Sequence, residues 1–464
     1  DDVESRGLGD VYKRQDIYKY HKGGKSKMKK FTVCLLIGAM AASMLTGCGG
    51  SNSKSENKQE AKADDDLTKL TIMLNGSDSD AYMQGYRKVI ENFNKTNDMG
   101  VIVESQNISN ADYKTKLTTM MASDSEPDII FTWELGYLEN FVNGNKIVSL
   151  QKYLDEDEEW KNSFNDGTLE QLTYDNEVYG IPTQQCMAVM YYNTAIFDQY
   201  NLEVPTTYDE YVQVCDTLKE NGITPVALAS TADDAWLVSQ YIQQLSDGIK
   251  GKEFYDSLRD GTGKWNDEAM VEAGKLFQEE VEKGYFEDGF TGVSREEAQL
   301  QFASGQTAMY FNGSWEVSNL DKTENAPEAE NISCFAMPAV NTEYTANSVG
   351  SVDSSYAITK NCKNVDAAVE LLKYWTSAEA AGILLYDYGR IPCTDFDTDE
   401  SKLTPLCSQA IKVMGEQKVL TPWFDRVDTD LGNEFNNTTI GIANGDDVQE
   451  SFDNLQNYVE SKSK

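Results

Sequence analysis

Between residues 70 and 131 the apolar positions switch repeatedly between strand-like and helix-like spacing. Leu70, Ile72 and Leu74 alternate with Thr71 and Met73, the period of a strand. After the Asn75-Gly76-Ser77-Asp78 break, Met83, Tyr86, Val89, Ile90 and Phe93 recur on one helical face. Val101-Ile102-Val103 then reads as a strand, Tyr113 to Met121 as a helix, and Asp128-Ile129-Ile130-Phe131 as a buried strand behind Pro127. Strand, helix, strand, helix, strand leaves few options, because parallel neighbours need a crossover that packs back onto the sheet. The segment predicts a parallel sheet covered by helices, with its ligand crevice beyond the carboxyl ends of the strands. Asn75–Asp78 and Thr132-Trp133-Glu134 occupy those ends.

The pattern restarts after Gly180-Ile181-Pro182. Ala188 to Tyr192 reads as a strand, Tyr208 to Lys219 as a helix opened by Thr206 or Thr207, and Val226-Ala227-Leu228 as a strand. A further strand, Thr307 to Phe311, ends at Asn312-Gly313-Ser314-Trp315, and Ala368, Leu371, Leu372 and Trp375 line a helix over 366–377. No repeat of fixed period is visible. Two α/β units in one chain predict two lobes with a ligand cleft between them.

The first 66 residues belong to neither unit. Lys29-Lys30 after Met28, the apolar run Phe31 to Leu45 and the small residues that close it form the three parts of a secretory signal. A run of fifteen is short of the ~20 residues that span a bilayer. Leu45-Thr46-Gly47-Cys48 resembles a lipobox, which implies that Cys48 becomes the lipid-modified N-terminus. On this reading 1–27 is a non-native upstream stretch, 28–47 the signal peptide and 48–66 a tether. The tether has no large apolar residue to bury. The body is expected outside the cytoplasmic membrane, anchored by lipid.

The chain carries 77 acidic and 40 basic residues, of which residues 1–47 hold five and nine. From Cys48 onward 72 acids oppose 31 bases, a formal charge of −41. Such a charge repels phosphate backbones, so no nucleic-acid partner is expected. The only histidine is His21, upstream of that point. Without imidazole, Ser-His-Asp and Cys-His nucleophile systems and His-ligated zinc are excluded. Asp395-x-Asp397-x-Asp399 begins like a calcium loop, but Glu400 stands where the turn glycine belongs and Leu406 where the closing glutamate belongs. Gly261-Thr262-Gly263-Lys264 lacks the spacing and the hydroxyl residue of a phosphate loop. No metal or cofactor is expected. Cys186, Cys215, Cys334, Cys362, Cys393 and Cys407 form no Cys-x-x-Cys pair; disulfides and buried free thiols both remain open.

Short motifs recur along the body: Ser125-Glu126-Pro127-Asp128-Ile129, Tyr179-Gly180-Ile181-Pro182 leading to Tyr191-Tyr192-Asn193, and Phe302 to Met309 followed by Asn312-Gly313-Ser314-Trp315. Gly389-Arg390-Ile391-Pro392 and Gly441-Ile442-Ala443-Asn444-Gly445 complete the series. In that order, from Leu67 to Val459, the chain resembles the extracellular solute-binding proteins of ABC importers, the family 1 carbohydrate group that includes maltose-binding protein. The resemblance implies a periplasmic-binding-protein-like α/β fold with two discontinuous lobes, a hinge and an interlobe cleft. It puts the hinge crossings near Thr183–Gln185, Val349–Gly350 and Pro392. Lobe 1 would comprise 67–184 with 350–391, and lobe 2 would comprise 185–349 with 392–464. It further implies a monomer with no catalytic residues, whose ligand-closed form is recognised by a membrane permease.

A sugar offers apolar ring faces and a girdle of hydroxyls, matched by flat aromatic rings with fixed carboxylates and amides. Trp375 lies on an apolar helical stripe and is expected in the core; Trp160, after the acidic run Asp155–Glu159, on a solvated surface; Trp265, beside Gly263-Lys264, in a structural role. Trp133 with Glu134, Trp236 and Trp423 with Asp425 follow strands or breaks and are candidate cleft residues. Trp315 falls where the family's sugar-stacking tryptophan sits, and Tyr191 and Asn312 belong to its motifs. Asp78, Gln185, Asp353 and Arg390, at strand ends and crossings, are the candidate polar partners. Two other readings stand beside a sugar-binding protein. One is a binding protein for a non-sugar solute. The other is an extracellular glycoside hydrolase, which needs only two carboxylates about 5–10 Å apart.

Overall fold

The computed structural model describes residues 67–322 and 326–462, so the signal peptide, Cys48 and the tether lie outside the described residues. The period-two segment forms β1 (Thr68–Asn75). The helix Tyr82–Thr96 buries Met83, Tyr86, Val89, Ile90 and Phe93, the stripe its spacing predicts. It returns to β2 (Val101–Ile108). The helix Asn110–Ala122 opens on Ser109, whose side chain accepts from the Asp112 amide and so satisfies one free N–H of the first turn. Next comes β3 (Ile129–Thr132), four buried residues. β1 pairs in parallel with both β2 and β3, as helical crossovers require.

The hairpin β4 (Thr173–Tyr174) and β5 (Glu177–Val178) precedes the longest strand, β6 (Ile181–Asn193). Then follow β7 (Thr224–Ala227), β8 (Thr307–Gly313), β9 (Ile332–Phe335), β10 (Asn347–Ile358) and β11 (Val419–Thr421). Nine strands make one sheet in the order β2-β1-β3-β10-β6-β8-β7, with β11 on β10 and β9 on β6. The fold is the mixed α/β architecture of periplasmic binding proteins.

Two hydrophobic cores flank this sheet. One gathers Leu70 to Ile181 with Tyr356 to Leu384; the other gathers Cys186 to Val349 with Leu385 to Leu455. β6 and β10 run through both. β6 pairs with β10 over Ile181–Met187 and with β8 over Ala188–Tyr192, while β10 reaches from β11 at one end to β3 at the other. A third passage is tied to β6 by Gln185 N–H to the Ile391 carbonyl (2.9 Å) and Cys393 N–H to the Thr183 carbonyl (3.1 Å).

Trp375 and Trp265 are core residues as expected, Trp265 lying 4.7 Å from Phe424. Trp160 corrects the sequence expectation. Asp155, Glu156, Glu158 and Glu159 are exposed, but Asp157 caps the short helix Glu158–Asn162 and turns Trp160 inward. Its indole N–H donates to Thr376 Oγ1 (2.9 Å). The cysteine question resolves to free thiols. All six are buried, and burial pushes Cys334 and Cys407 up to about 12, which keeps them protonated and inert.

Candidate functional site

A cavity of about 620 Å³ opens between the two cores. Its first wall is aromatic. Trp133, at the end of β3, meets Tyr137 edge to face (5.1 Å, 87°) and Phe131 likewise (4.9 Å, 89°). The chain then turns through Leu135 at φ 57°, a left-handed conformation that costs a β-unbranched residue about 1–3 kcal/mol. The surroundings hold it there: Leu135 N–H donates to the Gln171 carbonyl (3.1 Å), and Tyr174 OH donates to the Leu135 carbonyl (2.7 Å). Lys114 Nζ lies 5.1 Å from the Trp133 ring centre and 5.7 Å from that of Tyr137.

The facing wall is a run of indoles. Trp315 stands 5.9 Å from Trp236 and 5.6 Å from Trp423, which backs it from the core. The break after β8 sets its pose, because a Cβ on Gly313 would lie 2.1–2.4 Å from the Trp315 ring. The walls approach closely at Gly136, where a Cβ would fall 2.0 Å from the Val427 carbonyl oxygen.

Three arginines reach this region and each has a carboxylate. Arg426 Nη1 donates to both Glu134 oxygens (2.9 and 3.0 Å) and to the Val352 carbonyl (2.7 Å), with its guanidinium 4.0 Å over the Trp423 ring. Arg295 bonds Glu316 (2.8 Å) and, across the cleft, Asp80 (3.1 Å). Arg390 pairs with Asp353. Burial opposes charge on all three guanidiniums, but the paired carboxylates outweigh it and hold each pKa above its ordinary value. Lys114 and Asp425 face each other from opposite walls at 3.9 Å. Six buried polar atoms on lining residues have no partner among the described residues: Asn75 Oδ1, Tyr137 OH, Trp236 Nε1, Gln240 Oε1, Arg390 Nε and Asp425 Oδ1.

Of the residues singled out from the sequence, Trp133, Trp236, Trp315, Asp353, Arg390 and Asp425 line this cavity. The others lie elsewhere. Glu134 is fully buried beneath the wall, both oxygens held by Arg426. Trp423 is 1% exposed behind Trp315. Tyr191 and Asn312 are fully buried on strands covered on both faces; Tyr191 OH donates to the Gly313 carbonyl (2.9 Å), and Asn312 Oδ1 accepts from Gly313 N–H (2.8 Å). Gln185 lines a separate cavity of about 420 Å³ with Ile391 and Pro392. Asp78 is exposed and held by Arg87 and Asn107 (3.0 Å).

Sequence reasoning missed Tyr82, Lys114, Tyr137, Gln240, Arg295 and Arg426. One signal was available for the arginines. The body has only five (Arg87, Arg259, Arg295, Arg390 and Arg426), and three of them line the cleft.

The chain is similar to known proteins over most of its length. An uncharacterised ABC transporter extracellular-binding protein of Pyrococcus horikoshii is 25% identical over 306 residues, covering 63% of this chain and 68% of that one. The multiple sugar-binding protein of Streptococcus mutans is 24% identical over 335 residues, covering 69% and 74%. Among solved structures, a protein from work on xylan utilisation by the thermophilic bacterium Caldanaerobius polysaccharolyticus superposes with a TM-score of 0.78 at 26% identity, covering 84% of this chain and 100% of that one. The profile of the family described as bacterial extracellular solute-binding protein matches residues 76–382. With that match spanning most of the first core, both long strands and Trp315, the chain belongs to the bacterial extracellular solute-binding protein family, whose members bind solutes rather than transform them.

Proposed function

We propose that this protein captures a neutral sugar or oligosaccharide between its lobes and delivers it to an ABC permease in the membrane. The observation that carries this reading is the composition of the cleft. Two aromatic walls, Trp133 with Tyr137 and Trp236 with Trp315, face a cavity whose arginines are already neutralised by Asp353, Glu134, Glu316 and Asp80. Paired guanidiniums have little charge left for an anionic ligand, while flat rings suit the apolar faces of a pyranose. The unpartnered atoms of Tyr137, Trp236, Gln240 and Asp425 offer both donors and acceptors to hydroxyls. The sugar-binding name of the Streptococcus relative supports the same class. At about 620 Å³ the cavity falls in the usual range for a small-molecule site, about 300–1,000 Å³.

The lobes are taken as 67–184 with 350–391 and 185–349 with 392–464, the cleft residues as Trp133, Trp236, Trp315, Asp353, Arg390 and Asp425. Cys48 serves as the lipid-bearing N-terminus that keeps the body at the outer face of the membrane. Saturable change of tryptophan fluorescence with one member of a mono-, di- and oligosaccharide series, with no product released, is the expected result. Formation of new reducing ends from an oligosaccharide would overturn it. Cys48→Ala should abolish incorporation of labelled fatty acid; retained label would refute the anchor.

A further inference from the structure

Three passages join the two cores; one side chain lies in one of them, bonds the second directly and reaches the third through a tyrosine. Arg390 lies in the third. Its Nη2 donates to Ser354 Oγ of β10 (3.1 Å), to Asp353 of the same strand and to Tyr86 OH (3.2 Å). Tyr86 OH in turn donates to Gln184 Oε1 of β6 (3.2 Å). The network is dry: Arg390 is 4% exposed, Gln184 and Ser354 2% each and Tyr86 1%. The pairing of β10 with β6 slips in register on both sides of Ser354, next to Asp353, a local distortion of the kind that re-aims a side chain. The same guanidinium forms part of the cleft wall, 4.7 Å from the ring centre of Tyr82, and its Nε has no partner among the described residues.

We infer that Arg390 is the positioning residue that couples occupancy of the cleft to the angle between the lobes. Lobe rotation is absorbed by backbone torsions in the crossing segments. A guanidinium that lies in one passage, bonds β10 directly and reaches β6 through Tyr86 restricts the sets of torsions that are compatible with one another. Its unpartnered Nε–H lies in the guanidinium plane, so a ligand atom that accepts from it fixes the orientation of the group that spaces the crossings. A ligand shifts a conformational equilibrium only by what it gains in one state over the other, and a contact shared with the hinge supplies that difference. Lysine keeps a charge near Asp353 but is one bond shorter than the reach to Nη2, which holds both Tyr86 and Ser354, and it carries no Nε–H. The ligand half of this inference rests on the sugar reading; the hinge half does not.

Hydrogen exchange of the full chain separates closure from binding. The probe for closure is the contact between the walls, Gly136 against Val427 and Asn140 Nδ2 to Thr429 Oγ1 (3.5 Å), to which Arg390 makes no bond. Without ligand, Arg390→Lys should lower protection of the helices Gly136–Asn143 and Thr429–Ala443 about tenfold or more while the midpoint of thermal unfolding stays near wild type. Arg390→Gln should do the same, which guards against one variant misfolding. With maltotriose, raffinose and xylotriose as probes, the variants should still quench tryptophan fluorescence, at least tenfold more weakly, without restoring that protection. Unchanged protection in the ligand-free variants would overturn the inference whatever the ligand is. So would variants whose bound form closes as fully as wild type. If wild type binds none of the probes, the sugar reading fails, and the ligand-free comparison alone decides the coupling.

Discussion

Trp315→Ala is the most informative single change in the cleft. The indole has Trp423 at 5.6 Å and Trp236 at 5.9 Å, both tilted to it, and Gly313 against its ring, and its remaining surface lines the cavity. A pyranose covering about 60 Å² of that surface, at 25–30 cal/mol per Å², contributes roughly 1.5–2 kcal/mol. Removal should therefore weaken binding about 10- to 30-fold. Isothermal titration with the saturating sugar reads this directly, and fluorescence checks it through the six tryptophans that remain of seven. Truncation also strips Trp236 and Trp423 of a neighbour, so the variant must be titrated well below its unfolding temperature. Trp315→Phe, which keeps a ring at the site, should recover much of the loss. A Trp315→Ala affinity within twofold of wild type, about 0.4 kcal/mol, would refute the stacking assignment.

Glu134→Ala leaves Arg426 as an uncompensated buried charge and should cost about 3–5 kcal/mol of stability by denaturant unfolding; a loss below 1 kcal/mol would show that the pair is solvated. Glu280 is buried with Tyr208 OH and Tyr241 OH donating to it (2.6 Å each), and burial pushes its carboxyl up to about 7. The unfolded carboxyl ionises near 4.5, so stability present below that pH falls as the pH rises towards 7, by on the order of 3 kcal/mol. Glu280→Gln should flatten this part of the pH–stability curve; an unchanged slope would remove Glu280 as its source. The six body thiols should be silent to a thiol reagent in the native protein and react together on unfolding; fast reaction of the folded protein would contradict their burial.

The parts of the fold set by local period were legible. β1 and the helix Tyr82–Thr96 bury the positions that their spacing marks, because each needs only one apolar face against a neighbour. β6 was legible only in its second half, Ala188 to Tyr192. Its first half carries Pro182, Gln184 and Gln185, which belong to the passage between cores rather than to one apolar layer. Trp315 was marked by the family resemblance at the break after β8, whereas Tyr191 and Asn312 sit in the same motifs but on strands buried on both faces. Arg426 was not legible, since its partner Glu134 is 292 positions away and no local pattern encodes the pair. Trp160 misled for the opposite reason: the acidic run before it is solvated, and a helix cap reverses the next side chain.

On the proposed reading the cleft takes a neutral ligand because its cations are already paired. The salt dependence of the affinity for the saturating sugar tests this most directly, measured calorimetrically from 50 to 500 mM sodium chloride at constant pH. Exposed charge–charge attraction is screened over that range, whereas stacking and hydrogen bonds to hydroxyls are not. One ligand per chain is expected, with an affinity that stays within about twofold. A tenfold or greater loss with added salt, or tighter binding of an anionic ligand than of any neutral sugar, would contradict it.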